Sequence, residues 1–259
     1  MKVHFYKYHG AGNDFIILDN RNLTFETDNF SLIARMCDRR FGIGADGLML
    51  LQNKSQYDFE MRYFNSDGKE GSMCGNGGRC IVSFARSLDI IDSSSRFMAV
   101  DGVHEATLEE NGIVNLKMSD VLHVERIGDD FFLNTGSPHY VRFMNDLSGM
   151  DVVAEGRKIR YNERFMKDGT NVNFVKMEHD RLTVHTYERG VEDETLACGT
   201  GITASALCAG LKSGVSNGSF PVAAKGGNLE VSFVKKDDGF TNIWLKGPAK
   251  FVFEGDYIK

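Results

Sequence analysis

Two stretches place a cysteine directly ahead of a glycine-rich turn, Cys74-Gly75-Asn76-Gly77 and Cys198-Gly199-Thr200-Gly201. Glycines let the backbone turn tightly and leave its N–H groups uncovered, and the segment after each stretch reads as helical. A thiol at a helix N-terminus gains from the macrodipole, so it loses its proton more readily than an ordinary cysteine of pKa about 8.5. The same N–H groups bind anions, carboxylates included. Each stretch therefore offers a base and half of a carboxylate cradle. Two such loops set face to face would put a sulfur on each side of the α-carbon of a bound amino acid. A thiolate would remove the α-proton while the opposite thiol delivers another, which is racemisation or epimerisation by general acid–base catalysis. The helix N-termini would carry the enediolate-like charge, and neither pyridoxal phosphate nor a metal is required.

The other three cysteines, Cys37, Cys80 and Cys208, sit in apolar helical patterns and read as buried hydrophobes. Five cysteines are an odd count in a chain of 259 residues, which argues against a disulfide framework. A redox disulfide between Cys74 and Cys198 is the competing use of the pair. No CxxC pair is present, so no structural zinc site is expected. Gly42-Ile43-Gly44-Ala45-Asp46-Gly47 matches GxGxxG, but a helical segment precedes it and a strand follows, the reverse of a dinucleotide site. The net charge of −6 and the absence of a Lys/Arg run exclude nucleic acid and anionic membranes as expected partners. No stretch approaches the about 18 apolar residues of a membrane span, and the N-terminus lacks the apolar core of a signal peptide. A cytoplasmic protein with a small-molecule substrate is the expectation.

The elements that must position the two cysteines follow from periodicity. Strands are expected over Val3–His9, Phe15–Asp19 and Tyr57–Phe64, and near Arg96–Val100 and His104–Glu109. Asn111-Gly112 signals a hairpin into a strand ending near Met118, and Leu182–Tyr187 is a further strand. Leu229, Val231 and Phe233 alternate ahead of a turn at Lys235–Gly239. Asp28 is the expected cap of a helix running to Arg40, and Cys80–Ile90 reads as a second helix. Cys198 follows Cys74 by 124 residues, and that offset also pairs Gly12 with Gly136, Tyr63 with Tyr187 and Glu70 with Glu194. It pairs Asn13 with Ser137, Gly47 with Asn171 and Asn65 with Arg189, while His139 meets Phe15 and Glu188 meets Phe64. The expectation is an α+β fold of two pseudosymmetric domains, each a curled, mostly antiparallel or mixed sheet around a central helix. The boundary falls near residues 118–126, giving units of 1–121 and 122–259, with the last strand free to return to the first unit.

Six motifs in order carry a resemblance: HGAGNDF (9–15), GIGADG (42–47), FNSDGKEGSMCGNGGRC (64–80), GSPH (136–139), GTNVNF (169–174) and YERGVEDETLACGTG (187–201). Together they resemble the diaminopimelate epimerases. The resemblance implies a cofactor-independent epimerase that interconverts L,L- and meso-diaminopimelate in lysine biosynthesis, commonly as a homodimer. It implies that Cys74 and Cys198 transfer protons, and that His139 and Glu188 tune the thiols. It further implies that Asn13, Asn65 and Asn171 hold the substrate, with Ser137 touching or orienting it. Arg189 would contact a carboxylate, Glu188 an amino group, and Gly75-Asn76 and Gly199-Thr200 would cradle the α-carboxylate. Some members of the family carry Gln at the place of Gly47 and Asn at that of Ser137, both beside the distal part of the substrate. Two other readings compete: a proline, hydroxyproline or histidine racemase using the same thiols, and a non-catalytic or thiol-redox relative of the fold.

Overall fold

The computed structural model describes residues 2–71, 73–179 and 181–258. The chain forms two compact units, one made of the residues up to Leu116 together with those from Gly247 onward, the other of Lys117–Lys246. In the first unit the strands are β1 (Lys2–Gly10), β2 (Asn13–Asp19), β3 (Gly47–Gln52), β4 (Glu60–Asn65), β5 (Ser94–Ala99), β6 (Gly102–Leu108), β7 (Ile113–Lys117) and the chain's last strand, β17 (Lys250–Ile258). They lie side by side in the order β17-β1-β2-β3-β4-β5-β6-β7. The pairs β2–β3 and β4–β5 are parallel and the rest antiparallel. The second unit contains β8 (Val124–Ile127), β9 (Asp130–Asn134), β10 (Pro138–Phe143), β11 (Asn171–Glu178), β12 (Arg181–Glu188), the short β13 (Asp193–Thr195), β14 (Asn217–Ala224), β15 (Gly227–Lys236) and β16 (Gly239–Pro248). Its order is β8-β9-β10-β11-β12-β14-β15-β16, with β10–β11 and β12–β14 parallel. Strand by strand, the sequence of directions is the same in both units.

Each sheet curls around one helix and carries another on its outer face. The inner helices are α2 (Gly75–Ser87), which packs on β1, β2, β3, β6 and β17, and α4 (Gly199–Ser213), which packs on β9, β10, β11, β12, β14 and β15. Helices covered by a sheet bury mostly apolar or small side chains, and Cys80, Ile81, Phe84, Ala204, Leu207 and Cys208 are fully buried. The outer helices are α1 (Phe30–Cys37) and α3 (Val152–Arg160). Ile33 and Met36 of α1 pack on Ile16, Leu18, Leu48, Leu50 and Phe64, and Val152 and Ile159 of α3 on Tyr140, Val172, Phe174 and Tyr187. With both faces covered, β3 is buried at every position instead of alternating.

Several elements differ from expectation at their ends. Asn29, not Asp28, caps α1, its side chain accepting the Leu32 N–H at 3.1 Å. The helix stops at Cys37 because Asp38 turns extended and its carboxylate accepts the Arg40 and Phe41 N–H groups, each at 2.7 Å. The inner helix α2 begins at Gly75 and ends at Ser87, before Asp89 with its φ of +55°. Strand β4 begins at Glu60 rather than Tyr57.

The offset of 124 also needs correction. It holds across the first parallel pair, where Phe15 lies opposite Gly47 and His139 opposite Asn171. In the next strand it slips by one, since Leu48 faces Phe64 while Val172 faces Tyr187. A slip of one residue reverses the face of every side chain. Tyr187 therefore matches Phe64, not Tyr63, and both are buried under the outer helix. Glu188 matches Asn65, and Arg62 matches His185. The last match shows in matching pairs, Arg62–Glu70 at 2.9 Å and His185–Glu194 at 2.8 Å.

Candidate active site

In the first unit Cys74 is the N-cap of α2, with φ −104° and ψ 127°, and its carbonyl accepts the Gly78 N–H at 2.7 Å. Its sulfur does not cap the first turn, so it does not occupy the N–H groups that a carboxylate would use. The sulfur lies 3.6 Å from Asn13 Oδ1, which also accepts from Asn76 Nδ2 at 3.3 Å. Asn13 sits at the end of a tight turn through Gly12, whose φ of +87° suits glycine, and Gly136 repeats this at +103°. The amide of Asn13 is held from behind by Asp46, which pairs with Arg39 at 2.7 Å. Arg39 and Lys7 both pair with Asp14 at 2.7 Å. Burial pushes the Asp14 carboxyl up, but these two cations outweigh it and hold the pKa at about 2. The GIGADG segment, through Asp46, is thus a clamp on Asn13.

Asn65 ends β4 directly opposite Gly47, with its amide over Gly71. Gly47 has no room for a side chain: a Cβ there would lie 2.5 Å from Tyr63 Cε2, 2.8 Å from its hydroxyl and 2.6 Å from the Phe64 carbonyl. The Tyr63 ring fills the volume that a larger residue at 47 would use.

In the second unit Cys198 is the N-cap of α4, with φ −100° and ψ 107°, and again leaves the first-turn N–H groups uncapped by its sulfur. Thr200 links it to the rest of the site, its hydroxyl 3.4 Å from Cys198 Sγ and 2.9 Å from His139 Nε2. His139 is fully buried, and burial first, then the charge of Arg189, lowers its pKa to about 3. It is therefore a neutral imidazole. Asn173 Nδ2 donates to His139 Nδ1 at 3.1 Å and to the Tyr140 carbonyl at 3.0 Å, and its Oδ1 accepts from Thr186 at 2.9 Å. With Nδ1 accepting, Nε2 carries the proton and donates to Thr200 Oγ1, freeing the threonine hydroxyl to donate to sulfur. Gly201 permits this packing, because a Cβ there would meet Asn173 Oδ1 at 2.3 Å and His139 Cε1 at 3.2 Å.

Asn171 is held by Ser137 and the Pro138 carbonyl, both at 2.9 Å from its Nδ2, and its Oδ1 accepts the Arg189 N–H at 2.9 Å. Arg189 donates from Nη1 to the Asp168 carbonyl at 2.8 Å and makes no ion pair among the described residues, so its other donors remain for an anion. Glu188 ends β12 beside it. Within the first unit the structure thus groups Cys74, Gly75, Asn76 and Asn13, with Asn65 at the end of β4. Within the second it groups Cys198, Gly199, Thr200, His139, Ser137, Asn171 and Arg189, with Glu188 adjoining. Sequence reasoning missed Asp46, Asn173 and Arg79, the last fully buried with Nη2 donating to Asn76 Oδ1 at 2.7 Å. Asn173 lies two residues past Asn171 on the same strand face, which was the available signal.

All five cysteines are free. Burial raises Cys37 and Cys80 to about 12 and Cys208 well above its usual value, so these three stay protonated and serve as packing. No cluster of His, Cys, Asp or Glu among the described residues is arranged to hold a metal ion. No helix among them is long and apolar enough to cross a membrane.

The model of the family described as diaminopimelate epimerase matches residues 5–124 and 131–252. The chain belongs to the diaminopimelate epimerase family. It is 52% identical to the diaminopimelate epimerase of Flavobacterium psychrophilum, over 96% of this chain and 98% of that one. It is 44% identical to the diaminopimelate epimerase of Chlorobaculum tepidum, over 95% and 98%. Among solved structures it resembles a phenazine biosynthesis protein of Bacillus anthracis, with a TM-score of 0.74 at 13% identity over the whole of both chains. A hydroxyproline epimerase from Agrobacterium vitis with bound trans-4-hydroxy-L-proline gives 0.72 at 13% identity, over 98% of this chain and 92% of that one. At such identities the likeness is one of fold. It includes the curled sheets and inner helices expected from the sequence.

Proposed function

We propose that this epimerase interconverts L,L- and meso-diaminopimelate by a two-thiol mechanism, without a cofactor, in lysine biosynthesis. The observation that carries the reading is the pair of inner helices, each capped at the same register by a cysteine whose sulfur leaves the first-turn N–H groups uncapped. In this reading the α-carboxylate of the substrate binds those N–H groups, through Gly75-Asn76 and Gly199-Thr200. One sulfur, as thiolate, takes the α-proton, and the other, as thiol, gives a proton to the opposite face. Charge that develops on the carboxylate as the C–H bond breaks is stabilised by the helix N-termini.

The remaining groups hold and tune. Asn13, Asn65 and Asn171 hydrogen-bond the substrate, and Asn13 also fixes the Cys74 sulfur. Arg189 binds a carboxylate with its free donors, while Glu188 takes an amino group. His139 acts through Thr200: a neutral, fixed donor orients the hydroxyl toward the Cys198 sulfur and stabilises its thiolate.

Free thiols at a working site fit a reducing, cytoplasmic setting. A homodimer fits the exposed apolar run on β17, where Phe251, Val252 and Phe253 are 51%, 51% and 45% exposed on a strand that pairs only with β1 among the described strands.

The test is proton exchange. Reduced enzyme in D₂O is given L,L-diaminopimelate, with proline and histidine as controls, and the α-proton is followed by NMR. Deuterium should enter diaminopimelate alone, with the meso isomer appearing. Exchange in a control amino acid but not in diaminopimelate would keep the mechanism and reject the substrate. No exchange anywhere, with both thiols shown free, would reject the activity.

A further inference from the structure

The turn after β12, which carries Arg189, is one residue longer than its counterpart in the first unit. Tyr187 matches Phe64, and the residue that faces each is Glu194, seven residues on, and Glu70, six residues on. In the first unit the Asn65 carbonyl accepts the Gly68 N–H at 2.9 Å, an i to i+3 turn. In the second the Glu188 carbonyl accepts the Glu192 N–H at 2.8 Å, an i to i+4 turn. Both closing residues are left-handed, with φ of +87° at Gly68 and +61° at Glu192. Glycine takes that conformation without strain, whereas a glutamate there needs a hold.

The side chain of Glu192 supplies the hold. Its Oε2 accepts from the hydroxyls of Tyr187 at 2.7 Å and Tyr161 at 2.8 Å, and its Oε1 accepts the Gly190 N–H at 3.1 Å. Arg160 Nε lies 3.6 Å from Oε1. Burial pushes this carboxyl up, but these donors outweigh it and hold the pKa at about 2, so the group is ionised at neutral pH. Arg160 ends α3 and Tyr161 follows it directly, so the carboxylate ties the turn to the outer helix.

The bond to Gly190 bears directly on Arg189. The peptide group ahead of Arg189 is fixed through its N–H, which Asn171 Oδ1 accepts at 2.9 Å. The peptide group after it is fixed through the Gly190 N–H on Glu192. The Arg189 backbone is thus held from both sides, with Nη1 on the Asp168 carbonyl. Gly169 follows Asp168, and a Cβ there would lie 2.6 Å from Arg189 Cδ and 2.8 Å from Arg160 Cζ. The Arg160 guanidinium therefore stands against the stem of Arg189. Without Glu192 its charge would compete with that of Arg189 for an incoming carboxylate.

We infer that Glu192 is a positioning residue for substrate binding: it fixes the Arg189–Gly190 peptide and occupies Arg160, so that Arg189 alone meets the substrate carboxylate. This rests on the role given to Arg189 above.

The experiment is steady-state epimerisation of diaminopimelate by the native protein, Glu192→Gly, Glu192→Gln, Arg189→Ala and the double variant Glu192→Gly/Arg189→Ala. Glycine adopts a φ of +61° freely, so Glu192→Gly removes the side chain without straining the turn. It should raise KM about tenfold and leave kcat within about threefold, the pattern of lost uniform binding. Glu192→Gln keeps one oxygen for the Gly190 N–H and should raise KM less. In the Arg189→Ala background Glu192→Gly should raise KM no further, because it acts through Arg189. An unchanged KM in Glu192→Gly, or effects that add in the double variant as a purely structural role would make them, overturns the inference and leaves the role of Arg189 standing. The same cycle run with Glu192→Gln decides the question if Glu192→Gly does not fold. A KM unchanged in Arg189→Ala rejects the role of Arg189, and the inference with it.

Discussion

Glu188 holds in the second unit the place that Asn65 holds in the first. Each ends its strand one residue past an aromatic side chain buried under the outer helix, Tyr187 and Phe64 respectively. A carboxylate and an amide one methylene shorter thus stand at one topological position. The amide can donate as well as accept, whereas the ionised carboxylate only accepts. Exchange of Glu188 for Gln should therefore preserve the fold and weaken substrate binding. Thermal melting within a few degrees of the native protein, with KM for diaminopimelate raised about tenfold or more, is the expected result. An unchanged KM would remove Glu188 from the substrate contacts.

Single replacement of either Cys74 or Cys198 by Ser should lower the rate of epimerisation by a factor of about 10² to 10⁴, the usual contribution of a positioned acid or base. The rate of inversion, measured by separating isomers at early times, is the quantity to compare. Full activity in either variant would sink the two-thiol mechanism.

His139 contributes a pH dependence to stability whose sign is fixed. Its pKa is lowered to about 3 in the fold, first by burial, and returns to about 6.5 in the unfolded chain. Between those values the unfolded chain binds a proton that the folded one refuses. This residue therefore destabilises the fold as pH falls below about 6.5, by at most about 1.4 kcal/mol per unit, and has no such effect above it. Denaturation midpoints from about pH 8 to about pH 5, for the native protein and His139→Gln, isolate this slope by difference. A difference that stays constant through that range would count against a buried neutral imidazole.

Gly201→Ala should displace Asn173 from His139, since the new Cβ would lie 2.3 Å from Asn173 Oδ1. Overpacking of this kind costs about 1–3 kcal/mol. The fall in kcat should exceed that in Gly210→Ala, whose Cβ would meet the Phe233 ring first, at 2.4 Å, on a later turn of α4 than the sulfur network. Equal kcat in the two variants would mean that the His139–Asn173 bond does not support turnover.

Gly47→Ala should destabilise the first unit by about 1–3 kcal/mol through the Tyr63 ring and the Phe64 carbonyl. Adding Tyr63→Leu should recover only part of the loss, because the carbonyl remains 2.6 Å from the new Cβ. Chemical denaturation of the single and double variants decides it, and complete recovery would show that the ring alone fills the site.

Much of this was legible in the residues. The two cysteines announced themselves because glycines followed each of them, and a helix N-terminus needs little more than a turn and an apolar run. Alternation located β15 because one of its faces is buried, whereas β4 buries Met61 on one face and Phe64 on the other. The slip at β4 and β12 was not legible. Tyr63 and Tyr187 share a residue type and a spacing, but register is set by which face the outer helix covers, a tertiary choice that no short pattern records. Arg79 was hidden for a related reason. An arginine in a quoted motif reads as a surface charge until the surrounding strands remove it from water. Asp46 lay inside a motif dismissed for what it could not bind, while its real work was to hold Asn13.

The route of the chain has a consequence for how the protein is made. The second unit is one continuous segment, Lys117–Lys246, whereas the first is finished only when β17 pairs along β1 from Lys2 to His9. Domains usually fold in the order in which the ribosome releases them. Here β17 is synthesised after the whole of the second unit, so the unit begun first is completed last. The nascent first unit waits with the edge of β1 unpaired through the synthesis of about 130 further residues, and this is the interval in which a chaperone has most to protect.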